Sequence, residues 1–189
     1  LDGSSQLIAK TGYSRIGGFE IYLSRPELGT FLWETIIEAG KSENIRPGSP
    51  NIIDRVEAGL LSYGNEMTVE NTPLECNMDK FLDIYKKEDY IGKKVLLRQI
   101  KYGVKRRIRG AIYEGPKLPT ISTPLQVFDM DKRTIVGSLT SGAFSPHFKS
   151  NIGLGMIGYG CWDNNKEIFV KISDQEFRKG LIKDLPLIQ

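Results

Sequence analysis

The sequence predicts an α+β protein in which a mixed region, up to about residue 103, precedes a small antiparallel barrel or sandwich. Two observations carry this. Before Val104 the apolar residues recur at helical spacing in three segments, with two short alternating strands ahead of them. After Val104 the texture becomes short strand-like runs at even spacing, separated by turn residues. The boundary is therefore expected at 103/104, giving segments 1–103 and 104–189.

In chain order, Gln6–Lys10 and Gly18–Leu23 read as strands. Phe19, Ile21 and Leu23 alternate with Glu20 and Tyr22, so Glu20 and Tyr22 share a face. Pro26–Ala39 reads as an amphipathic helix with Ser24 as N-cap and Gly40 as its stop. Its apolar stripe is Leu28, Phe31, Leu32, Thr35 and Ile36. Arg46–Pro50 is a loop. Asn51–Leu61 is a second helix that buries Ile52, Ile53, Val56, Leu60 and Leu61, with Tyr63-Gly64-Asn65 ending it. Asn71–Asp79 is irregular, and Tyr90–Tyr102 is a third helix stopped by Gly103. The later strands are Arg107–Tyr113, Leu125–Phe128, Ile135–Leu139, Gly153–Ile157 and Ile168–Ile172, with a hairpin turn over Asp129–Lys132.

Composition excludes several classes of function. The 189 residues carry a net charge of only +3, too little by itself to indicate nucleic acid binding. No apolar run approaches the length of a transmembrane helix. The start Leu1-Asp2-Gly3-Ser4-Ser5 has no signal-peptide pattern and no initiator Met, so a fragment, a processed chain or a truncated chain is expected. Cys76 and Cys161 lie outside any CxxC motif, and with a single His they supply no ordinary structural zinc set. They read as reduced thiols of a cytoplasmic protein.

Chemistry-bearing residues are few. The Gly12–Gly18 loop lacks both the Gly-Lys-Ser/Thr ending of a phosphate loop and the strand-to-helix setting of a dinucleotide fingerprint, so it reads as a hairpin connection. A carboxylate beside an aromatic on one strand face, Glu20 with Tyr22, can accept two N–H bonds from an amino-pyrimidine edge while the ring packs alongside. From these residues alone the default reading of the pair is a solvent-facing Glu and Tyr. His147 has no spacing-defined partner and reads as a structural or surface residue. Lys101, Lys105, Arg106, Arg107 and Arg109 read as a solvated face.

Four segments together resemble the glycine-cleavage T-protein family. Lys10–Ile21 is similar to its R-T-G-Y-T-G-E-D-G-F-E-I segment, and Asp54–Asn65 to its L-R-L-E-A-G-x-x-L-Y-G-N/H segment. Thr72-Pro73-Leu74-Glu75 resembles its T-P-x-E, and Thr140–Pro146 with Ile152–Met156 resembles its T-S-G-x-x-S-P and I-G-x-G-x. The family's chain is about twice as long, and the resemblance begins in its middle. The resemblance therefore implies the C-terminal half of the T-protein-like folate-binding fold, an α+β region followed by a small antiparallel β-barrel. It implies tetrahydrofolate as cofactor, held by Glu20 at the pterin edge, by Tyr22 at the ring or linker, and by Tyr13 at the pocket wall.

One departure bears on the branch of the family. Aligning on Glu57-Ala58-Gly59 puts Asn51 where aminomethyltransferases carry an Arg. Pro47–Arg55, Leu74-Glu75-Cys76, Ser145–Phe148 and Asp184–Ile188 are instead similar to the branch that demethylates dimethylsulfoniopropionate. The expected reaction is methyl transfer from that sulfonium to folate, with aminomethyl transfer in glycine cleavage, a non-catalytic folate-binding module and an RNA-binding barrel as alternatives. Expected partners are folate, a small methyl or aminomethyl donor and the missing N-terminal half, with no nucleic acid, membrane or metal. No residue of this half is assigned a catalytic role, because the aspartate beside the reacting folate nitrogen belongs to the first half. The isolated chain is expected to be inactive.

Overall fold

The computed structural model describes residues 3–49 and 51–188. It divides into two compact units, Leu1–Asn51 and Ile52–Gln189. Leu1 and Asp2 at the chain start and Pro50 of the expected Arg46–Pro50 loop lie outside the described residues.

The smaller unit begins with an antiparallel pair, β1 (Leu7–Ala9) and β2 (Glu20–Tyr22), in which Leu7 faces Tyr22 and Ala9 faces Glu20. Both strands are shorter than the sequence suggested, and the long link between them is the hairpin connection expected. A 3-10 turn over Pro26–Leu28 leads into helix α1 (Gly29–Ala39). Inserting that turn moves the cap: Arg25, not Ser24, precedes the first turn, and it makes no side-chain cap bond. Gly40 does close α1 as expected, its N–H reaching the Ile36 carbonyl at 2.9 Å. The expected apolar stripe is only half sheltered. Leu28, Leu32 and Ile36 are partly buried, Phe31 and Thr35 are exposed, and no residue of α1 is fully buried. Thr35 instead donates its hydroxyl to the Phe31 carbonyl at 2.7 Å.

The larger unit opens with helix α2 (Ile52–Glu57), which is shorter than the expected Asn51–Leu61. The cause is Gly59, whose φ of +67° is open to glycine at little cost. From there the Gly59 N–H bonds the Val56 carbonyl (3.1 Å) and the Leu60 N–H bonds the Arg55 carbonyl (3.0 Å), a Schellman ending. Tyr63-Gly64-Asn65 therefore ends nothing; it forms a separate turn closed by Gly64 N–H to Met67 carbonyl at 2.8 Å. Val56 is buried, whereas Ile52, Ile53, Leu60 and Leu61 are only partly so. Arg55 of this element forms a buried ion pair with Glu66, at 2.9 Å. Helix α3 runs Lys93–Tyr102, starting later than Tyr90, and Gly103 stops it as expected.

A closed antiparallel barrel completes the unit, and this part of the expectation holds. Its strands are β3 (Arg106–Tyr113), β4 (Leu125–Phe128), β5 (Ile135–Ser145), β6 (Ser150–Gly158), β7 (Glu167–Lys171) and β8 (Phe177–Lys183), closing in the order β3-β6-β5-β4-β7-β8. Ala111, Tyr113, Val127, Leu139, Ile157, Ile168, Val170 and Ile182 fill it. Burial there pushes the Tyr113 phenol up to about 12. Strand β8 is absent from the sequence reading. Its alternation is broken by Arg178, a buried cation that donates to Glu176 (2.6 Å) and to the Pro116 carbonyl (2.6 Å).

One outer wall of the barrel is not left to solvent. Val56 of α2 packs on Ile152 and Leu154 of β6, with Leu185 and Leu187 of the C-terminal segment against the same cluster. Two details fix this packing. Ser145 donates its hydroxyl to the buried Glu57 carboxylate at 2.5 Å, and the Glu57 carbonyl accepts the N–H groups of Leu187 (2.9 Å) and Ile188 (3.1 Å). A Cβ at Gly110 would stand 2.5 Å from the end of the Leu187 side chain, so glycine there lets the segment lie close against β3 without Leu187 shifting.

The hairpin turn after β4 generates a pH prediction. The Thr134 hydroxyl, with the amides of Thr134 and Arg133, holds the Asp131 carboxyl down at about 2. A folded value below the unfolded one of about 4 stabilises the fold fully above about pH 4, and the stabilisation is lost as pH falls through about 2. Asp131→Asn should therefore lower the denaturation midpoint at neutral pH, with the gap from the parent closing between about pH 4 and pH 2. A gap that does not change with pH would show that the turn does not use the ionised carboxylate.

Candidate functional site

The residues singled out in the sequence lie on the β1–β2 pair. Glu20 and Tyr22 are both on β2 and point to one face, because Ile21 between them points to the other. Their cross-strand partners Ala9 and Leu7 sit on that same face. The result is an open shelf with one carboxylate flanked by apolar and aromatic surface: Tyr22 is 52% and Leu7 66% exposed. Tyr13 lies in the connection between the strands and is 48% exposed.

One participant escaped the sequence reading. Thr11 donates its hydroxyl to Glu20 Oε2. It stands at the head of the connection, so a donor beside an acid nine positions away becomes visible only once the hairpin is closed. This bond restricts the Glu20 rotamer. A carboxylate oxygen has two lone-pair directions, so Glu20 can still accept bonds from a ligand through both oxygens. The arrangement suits a flat heterocycle presenting two N–H groups at one edge, with the Tyr22 ring available for packing.

The other sequence candidates fall elsewhere. His147 is exposed and meets the Phe148 ring edge-on at 4.8 Å, a surface contact as expected. The basic run is not one solvated face. Arg106 pairs with Glu75 at 2.9 Å, Arg107 lies over the Trp162 ring at 5.6 Å, and Arg109 donates to the Trp162 carbonyl at 2.7 Å. Strand alternation divides the run between two faces, and the nearly buried Arg109 is used for packing the barrel. Cys76 and Cys161 are free thiols, both pushed up by burial. Among the described residues no cluster of His, Cys, Asp or Glu is arranged to hold a metal ion, and no helix is long and apolar enough to cross a membrane.

Comparison with known proteins places this geometry. The model of the GCVT N-terminal domain matches residues 1–86, and that of the glycine cleavage T-protein C-terminal barrel domain matches residues 106–186. The chain belongs to the glycine-cleavage T-protein family. It is 43% identical over 160 residues to dimethylsulfoniopropionate demethylase of Ruegeria pomeroyi, a match covering 85% of this chain and 43% of that protein. It is 38% identical over 173 residues to an aminomethyltransferase of Caldanaerobacter subterraneus, covering 89% of this chain and 45% of that one. The chain thus spans less than half the length of these curated relatives. The glycine cleavage system aminomethyltransferase T of Bartonella henselae superposes with a TM-score of 0.79 over 96% of this chain and 49% of its own, at 23% identity, a likeness of fold.

Proposed function

We propose that this chain is the folate-facing C-terminal half of a tetrahydrofolate-dependent methyltransferase that demethylates a sulfonium substrate, dimethylsulfoniopropionate. The observation that carries the folate reading is the shelf on β2, where Glu20 and Tyr22 share one exposed face. The site fits the pterin group: Glu20 would accept its amino and ring N–H, Tyr22 would pack on the ring or linker, and Tyr13 would wall the pocket. When bound, the folate supplies a nucleophilic nitrogen that takes up a one-carbon unit. The chain's own residues bind and orient. A sulfonium methyl is already activated, so holding the two reactants in line provides most of the acceleration.

The half of the relatives' length outside these residues would complete the enclosure, and residues 1–189 alone would be catalytically silent. The domain division we favour for this role is 1–103 as part of the central folate-binding region and 104–189 as the barrel domain. Two free thiols support a cytoplasmic location.

Two experiments test this reading. Tetrahydrofolate titration of the complete enzyme should show Glu20→Ala weakened about ten- to a hundred-fold, since bonds to a charged acceptor contribute about 1.5–3 kcal/mol. Unchanged affinity would remove Glu20 from the site. The substrate class rests on Asn51, which stands just ahead of α2 where aminomethyltransferases carry Arg. Supplied with tetrahydrofolate, the complete enzyme should release methylthiopropionate from dimethylsulfoniopropionate. Product only from an aminomethylated lipoyl carrier would instead assign it to glycine cleavage.

A further inference from the structure

The acid on the β2 shelf is held by very little. Glu20 is exposed and stands opposite Ala9, whose methyl group offers no hydrogen bond. Among the described residues, the one hydrogen bond made to its carboxylate comes from the Thr11 hydroxyl, and no cation pairs with it. An exposed Glu without such a partner samples several rotamers, and freezing them when a ligand arrives costs affinity. Recognition of two N–H groups on one flat edge is sensitive to that freedom. Both carboxylate oxygens must lie near the plane of the heterocycle for two parallel bonds to form.

Thr11 is suited to fix that plane. It lies two residues beyond Ala9, the last residue of β1, so strand parity carries its side chain toward the face that holds Glu20. The bond to Glu20 Oε2 shows that it arrives there. Its branched Cβ restricts χ1, which keeps the hydroxyl directed. A hydroxyl has a single proton to give. Spent on Oε2, it leaves Oε1 and the second lone pair of Oε2 to a ligand. Thr11 is itself exposed and belongs to neither core cluster, so its truncation leaves the packing of the chain intact.

We infer that Thr11 is a positioning residue for folate: its hydroxyl sets the plane of the Glu20 carboxylate so that both oxygens meet the pterin edge together. The inference rests on the folate reading of the shelf, and it assigns part of the affinity to a residue that acts through Glu20. The test is a double-mutant cycle on Thr11→Ala and Glu20→Ala, read as tetrahydrofolate affinity by titration of the complete enzyme. Thr11→Ala should weaken binding about three- to tenfold, the range for one side chain that must be ordered on binding. In the Glu20→Ala background the same change should have no effect, whereas a loss caused by a disturbed loop would persist without Glu20. Thr11→Val keeps the branched shape without the hydroxyl and should fall as far as Thr11→Ala. Thr11→Ser keeps the hydroxyl and should fall less than either. Parent-like affinity of Thr11→Ala, an undiminished loss in the Glu20→Ala background, or Thr11→Ser as weak as Thr11→Val would overturn the inference. The Glu20→Ala arm keeps the two readings apart. If that variant binds folate as the parent does, the folate reading fails and the role of Thr11 with it. If it is weakened while Thr11→Ala is not, only the role of Thr11 fails.

Discussion

The larger unit depends on one buried contact, the 2.5 Å hydrogen bond from Ser145 to the carboxylate of Glu57. Helix α2 has six residues, too few to be stable alone, and it lies outside the barrel with no strand pairing of its own. Apolar packing of Val56 on Ile152 and Leu154 provides affinity between helix and wall. It does not provide register. A buried carboxylate is costly wherever it lacks a donor, so the helix has only one seat in which Glu57 is satisfied. The same residue's carbonyl then receives Leu187 and Ile188, which draws the C-terminal segment across β3 at Gly110. Helix, barrel and chain end are thus keyed by one side chain and its own backbone.

This keying explains what the shared sequence motifs encode. Glu57-Ala58-Gly59, Ser145-Pro146 and Leu185-Pro186-Leu187 are far apart in sequence, yet all belong to this junction: Glu57 and Ser145 bond, Gly59 ends the helix, and a Cβ on Gly59 would sit 3.0 Å from Leu185. They describe a scaffold. The shelf on β2, by contrast, is a surface with nothing buried around it. Phe19, Tyr22, Phe31 and Trp33 all stay more than half exposed, which is unusual for so many aromatics in a short segment.

Much of this was legible in the sequence, for identifiable reasons. Strand alternation put Glu20 and Tyr22 on one face, and turn chemistry located Asp129–Lys132. The even spacing of short apolar runs indicated the barrel. What was hidden depended on contacts between distant residues. The length of α2 was misjudged because Ile52, Val56, Leu60 and Leu61 keep helical spacing while Gly59 changes the backbone beneath them. Strand β8 was hidden because Arg178 is buried through partners 62 positions away, at Pro116. The basic run looked like a solvated face because its consumers, Glu75, Trp162 and Asp184, are all remote. At the candidate site the acid and the aromatic were readable, but the Thr11 bond required the hairpin to be closed.

The claim that a single polar contact keys α2 to the barrel is tested most directly by a double-mutant cycle on Glu57→Ala and Ser145→Ala, followed by urea unfolding. If the two side chains act as one unit, the double variant loses less stability than the sum of the single losses, by about 1 kcal/mol or more. Losses that add to within about 0.3–0.5 kcal/mol would mean that the two residues act independently, and that apolar packing alone seats the helix.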